Sequence, residues 1–222
     1  MGRNFRQARS IKRKAGSIQP KIKIVAFCEG KNTEPDFING FSKLHGNGLV
    51  FVECVRAAGV PMTLVDACSE KVKKLNKLAK KSDDPLDKNF QVWGVFDRDE
   101  HPNVAAAFDK ARANDVRVAF SNPCFELWPY LHYKMQSADI HRKEMQKKLE
   151  PLMKSYDSNN SKVVCPFELD LAGDYEEAKA RSIKLRQNHQ QVGIEEIEQN
   201  PSTNVYELFD LIIENGKKKT SC

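Results

Sequence analysis

Two groups of acids in this sequence follow apolar runs, and together they could do metal-ion chemistry. Glu29 comes directly after I-K-I-V-A-F-C, and Asp97-Arg98-Asp99-Glu100 comes directly after F-Q-V-W-G-V-F. Parallel α/β sheets carry their chemistry at the carboxyl ends of strands. If both runs are strands of one such sheet, adjacent or one strand apart, Glu29, Asp97 and Asp99 converge. Alternate residues of an extended segment point the same way, so Asp97 and Asp99 can share a pocket while Arg98 points elsewhere. Hard oxygen ligands of this kind suit Mg²⁺ (or Mn²⁺), which takes one or two carboxylates and keeps positions for water and phosphate. That combination supports phosphodiester chemistry. Each acid also has a plain alternative: D-R-D-E as a solvated loop capping the next helix, and Glu29 as a loop acid near a helix start. The conjunction favours a metal site, because both groups follow runs that are almost wholly apolar.

The elements that must position these acids form a β-α alternation. Lys21–Cys28 suits a buried parallel strand. After Gly30, Thr33 is a candidate cap and Pro35 fits the first turn of a helix carrying Phe37, Ile38, Phe41 and Leu44, which stops near Gly46. Leu49–Val55 reads as a strand and Pro61–Lys80 as an amphipathic helix broken by Asp83-Asp84-Pro85. Phe90–Phe96, Pro102–Asn114, Val116–Phe120 and Cys124–Tyr133 continue the alternation. The connections are too long for hairpins, which predicts a parallel sheet covered on both faces with right-handed crossovers. Beyond Gln136 the sequence predicts helices over Ile140–Lys154, Tyr175–Gln191 and Asn204–Asn215, and no strand.

Length and charge narrow the class. The chain has 222 residues, 25.3 kDa and a mean hydropathy of −0.59, with no apolar run long enough to span a membrane and no secretory signal pattern. Six cysteines without a C-x-x-C pair argue against a zinc ribbon and fit free thiols in a reducing cytoplasm. Net charge is +6, yet residues 1–23 hold eight basic residues and no acid, so the remainder sums to −2. The division expected is a basic arm over residues 1–20, an α/β core over 21–135 and a helical extension over 136–222 packed on that core. The arm is either a phosphate-backbone contact or a solvated terminus, and an acid-free Arg-rich start also resembles a transit peptide, although it lacks an apolar helical face.

The blocks C-E-G-K-N-T-E-P-D-F, V-F-D-R-D-E-H-P, S-N-P-C-F-E-L-W and N-P-S-T-N-V-Y-E-L, in that order from residue 28 to 208, resemble the RloB-like family. The Glu followed by Asp-x-Asp is similar to the Toprim pattern of topoisomerases, primases and nucleases. The resemblance implies a Toprim-like parallel sheet flanked by helices, and a role in prokaryotic defence against phage beside a partner ABC-type ATPase. It would make Glu29 the acid/base residue, Asp97 and Asp99 the metal ligands together with Glu29, and Glu100 an optional extra ligand. Pro129 stands where the family usually has an aliphatic residue, and it should kink or stop the helix after F-E-L-W, because it has no N–H for Phe125.

Other candidates are weaker. Lys31, Arg98 and His101 are possible phosphate or substrate contacts, each with an ordinary surface role as the alternative. Asn122 could cap a helix with Pro123 at its first position, and Glu126 could reach the metal or substrate. Cys124 reads as packing, Glu34 as a first-turn acid favourable to the helix dipole, and His132 as structural. His141-Arg142-Lys143 begins a basic helix face that is solvated or tracks nucleic acid. The leading expectation is therefore a Mg²⁺-dependent nuclease acting on DNA or RNA. A non-catalytic sensor or adaptor that docks an ATPase or binds nucleic acid is the competing class, and a homo-oligomer stays open.

Overall fold

A computed structural model describes residues 19–57, 59–98, 103–160 and 162–217. Most of the basic arm, together with Asp99, Glu100 and His101, lies outside them. In chain order the elements begin β1 (Ile22–Cys28), α1 (Thr33–His45), β2 (Val50–Arg56), α2 (Pro61–Ala79), α3 (Pro85–Lys88), β3 (Phe90–Asp97), α4 (Val104–Ala113) and β4 (Val116–Asn122). They continue α5 (Leu127–Leu131), α6 (Arg142–Leu149), α7 (Pro166–Ala172), α8 (Tyr175–Gln191), β5 (Ser202–Thr203) and α9 (Tyr206–Gly216). Among the described residues the strands make one five-stranded sheet in the order β2-β1-β3-β4-β5, parallel except where β5 runs antiparallel to β4. Among the same residues, no helix is long and apolar enough to cross a membrane.

Strand alternation divides the core into two layers. Val25, Phe27, Val92, Phe96, Val116 and Phe120 face α2 and α4, where they meet Leu64, Val65, Cys68 and Phe108. Gly94 lets α2 approach this layer closely, since a Cβ there would stand 2.9 Å from a Leu64 methyl. Ile24, Ala26, Cys28, Trp93, Val95 and Ala119 face the other way, against Phe37, Trp128, Met145, Leu185 and Phe209 from α1, α5, α6, α8 and α9. With both sides of β1 covered, the run I-K-I-V-A-F-C is almost continuously buried.

Several local expectations are corrected. Thr33 does not cap α1; Asn32 holds that position without a side-chain bond, and the Thr33 hydroxyl donates to the Lys162 carbonyl at 2.8 Å. Asn122 does not cap a helix either, because it ends β4 and α5 starts only at Leu127. The helix expected from Cys124 shrinks to five residues around Pro129, and the Phe125 carbonyl takes the Trp128 N–H at 2.9 Å instead. The helix expected over Ile140–Lys154 is shorter, with a 3₁₀ turn at Glu150–Leu152. The region beyond Gln136 does contain a strand, β5, and a further helix, α7, between the first two expected there.

Candidate active site

β1 and β3 are neighbours, so their carboxyl ends deliver Glu29 and Asp97 side by side. The Asp97 backbone N–H donates to Glu29 Oε2 at 3.3 Å, and the Glu29 N–H donates to the Val95 carbonyl at 3.0 Å. The strand ladder therefore continues one residue past β1 and fixes the acid at its end. On the far side of β3, β4 sets Ser121 opposite Asp97, and the chain after Asn122-Pro123 brings Glu126 to the same place. The result is a cleft of about 140 Å³ lined by Glu34, Asp97, Glu126, Arg142, Gln146 and Lys162, among others.

Glu34 is 6% exposed rather than a solvated first-turn acid. Its carboxyl lies against Gly30, where a Cβ would displace it, so the glycine lets the acid pack against the backbone here. Burial raises the Glu34 pKa to about 7, with the charges of Glu126 and Glu29 adding to the rise; its own backbone hydrogen bond and Arg142 oppose it. Burial also pushes Asp97 well above the carboxylate range, reinforced by Glu34, Glu126 and Glu29. The opposing influence is Arg142, whose Nη2 donates to Asp97 Oδ2 at 3.3 Å.

Glu126 is held by neutral donors. Its Oε1 accepts from Gln146 Nε2 at 3.1 Å and from the Tyr156 hydroxyl at 2.8 Å. Gln146 in turn accepts from Lys162 Nζ at 3.2 Å, which completes a wall built from α6 and the segment before α7. Cys124 beside it has its thiol pKa raised by burial, so it stays protonated and packs rather than attacks.

Of the residues singled out in sequence, Glu29, Asp97 and Glu126 come together. Arg98 turns away to Glu198 at 2.9 Å, Lys31 is exposed outside the cleft lining, and Asn122 is buried in the pairing with Ser202. Asp99, Glu100 and His101 lie outside the described residues. His132 sits among Trp128 and Tyr175, away from the acids. Sequence reasoning missed Glu34, Arg142, Gln146, Tyr156 and Lys162 as site residues. The fixed spacing of Glu29 and Glu34 around Gly30 was the one available signal.

Among the described residues, no three His, Cys, Asp or Glu side chains form a complete ion-binding group. The donor chemistry nevertheless fits a hard divalent cation. Glu34, Asp97 and Glu126 crowd together at low exposure with one guanidinium on Asp97, and a bound cation would relieve the repulsion among them.

The sequence model of the RloB-like protein family matches residues 24–212. The chain belongs to the RloB-like family. The matched stretch contains Glu29 and every cleft residue named above, from Glu34 to Lys162, as well as β5 and most of α9. No curated protein and no solved structure was found to match this RloB-like chain.

Proposed function

We propose that this RloB-like protein is a Mg²⁺-dependent nuclease of the Toprim class that cleaves DNA or RNA phosphodiester bonds in prokaryotic anti-phage defence, acting with a partner ABC-type ATPase. The observation that carries this reading is the juxtaposition of Glu29 and Asp97 at adjacent strand ends, joined by the Asp97 N–H, beside a cleft that Asp97 lines with Glu34, Glu126 and a guanidinium. Glu29, Asp97 and Asp99 would hold the ion, with Glu100 as an additional oxygen ligand. When bound, Mg²⁺ would polarise the phosphate and lower the pKa of a water.

The remaining work falls to the chain itself. Glu29 is anchored through its own backbone, so its carboxylate is positioned to take or return a proton at Oε. Glu126 keeps a fixed orientation through Gln146 and Tyr156. Phe125 and the buried layer beneath it limit water on the inner side of the cleft.

Purified protein offered plasmid DNA and bulk tRNA with Mg²⁺ or Mn²⁺ should cut at least one of them, while Asp97→Asn and Glu29→Gln should not. The adaptor reading draws support from the Arg142–Asp97 ion pair, which partly neutralises the site without metal. Failure of wild type to cut, alone and with the ATPase and ATP, would leave that reading in its place.

A further inference from the structure

We infer that Arg142 and Lys162 form a phosphate-binding pair at the cleft, with Arg142 resting on Asp97 until a cation takes that carboxylate. The inference rests on the nuclease reading and names how the site would grip the nucleic-acid backbone. A pocket of carboxylates repels a phosphodiester, and the charge must be offset by cations within a few ångströms. Among the described residues, Arg142 and Lys162 are the cations lining this cleft, and both come from segments after the β-α alternation.

Each is held ready. The Arg142 side chain is 34% exposed, so its planar fork can engage Asp97 and also reach solvent at the cleft mouth. Its backbone is set by Asn200, whose side chain accepts from the Ile140 N–H at 3.4 Å and donates to the Ile140 carbonyl at 3.1 Å, two residues before Arg142. Lys162 is exposed, and its ammonium rests on the neutral Gln146 oxygen, a partner that a phosphate readily displaces. The Thr33 hydroxyl on the Lys162 carbonyl ties that residue to the start of α1, beside Glu34. A guanidinium and a divalent cation compete for the same Asp97 carboxylate. Occupation by the cation releases the guanidinium where an incoming phosphate needs it.

The test uses the full chain and a labelled 20-nucleotide DNA, or RNA of the same sequence, titrated over a salt series with Ca²⁺ and without divalent ion. With Ca²⁺ present, Arg142→Gln and Lys162→Gln should each weaken binding roughly five- to tenfold whatever the sequence, and without divalent ion only Lys162→Gln should. Each should also lower the slope of log K against log salt by about 0.7–0.9, the signature of one lost phosphate contact. Arg142→Lys should restore the slope. Mn²⁺ alone, measured by calorimetry, should bind Arg142→Gln more tightly than wild type. Unchanged slopes in both variants overturn the phosphate pair, and equal or weaker Mn²⁺ binding overturns the exchange. If Arg142→Gln does not fold, Lys162→Gln decides the phosphate contact and Arg142→Ala, which also removes the competing charge, decides the exchange by the same gain in Mn²⁺ affinity. Loss of the nuclease reading would appear separately, as wild type that neither binds Mn²⁺ nor cuts, while the salt slope of Lys162→Gln without divalent ion still reports on the lysine contact.

Discussion

The two faces of the sheet share the same strands but differ in what they bury. Toward α2 and α4 the contacts are apolar, with Phe96, Phe108 and Phe120 meeting edge to face at 5.2–5.8 Å. Toward α1, α5, α6, α8 and α9 the layer also closes over Glu34, Glu126, His132 and Ser182. Apolar burial on the first face stabilises without a partner requirement, whereas every polar group on the second must be desolvated and needs compensation. The first face therefore stores stability, and the second gives up some of it to enclose polar groups.

The strongest way to break this contrast is on the apolar face. Phe96→Ala removes a ring that is 1% exposed and should cost about 3–5 kcal/mol by urea unfolding, with metal and nucleic-acid affinity unchanged in the folded fraction. Asp97→Asn should do the reverse. Cleavage should fall by about 100-fold or more, while folding free energy changes by under about 1 kcal/mol, because Arg142, a third exposed, can turn to water.

The next largest effect is one of pH, through His132. Burial lowers its pKa from 6.5 to about 3, and neither ring nitrogen reaches a protein hydrogen-bond partner. The unfolded chain takes up this proton near pH 6.5 and the folded chain only near 3, so stability falls as pH drops through that window. The loss should be roughly 2 kcal/mol by pH 5, and a denaturation series on His132→Phe should lack this component. The smallest effect sharpens the comparison. Asn200→Ala should cost about 1 kcal/mol in unfolding experiments yet reduce cleavage several-fold, since it loosens the backbone that carries Arg142.

The legible parts of the molecule were those governed by local pattern. The runs of β1, β3 and β4 are apolar because both faces are covered, so their position and the acids at their ends followed from composition alone. The cleft wall did not. Arg142 belongs to a helix whose sequence reads as a solvated basic face, and it is the pairing with Asp97, 45 residues earlier, that turns it inward. Glu34 has the spacing of an ordinary first-turn acid, and its burial arises from Gly30 and from segments more than 90 residues away. β5 is two residues long and pairs with a strand about 80 positions earlier, which leaves no periodicity to detect. Asn122 has the sequence of a cap but ends a strand.

The strap formed by residues 200–204 has a consequence in time. Asn204 accepts from the Phe120 N–H and donates to the Val118 carbonyl, Thr203 meets Ser121 at 2.9 Å, and Asn200 holds Ile140. A ribosome delivers these residues long after both halves of the acid pair have emerged. During synthesis the carboxylates are present before the strap that steadies Arg142, so the cleft reaches its final form only when most of the chain has been made.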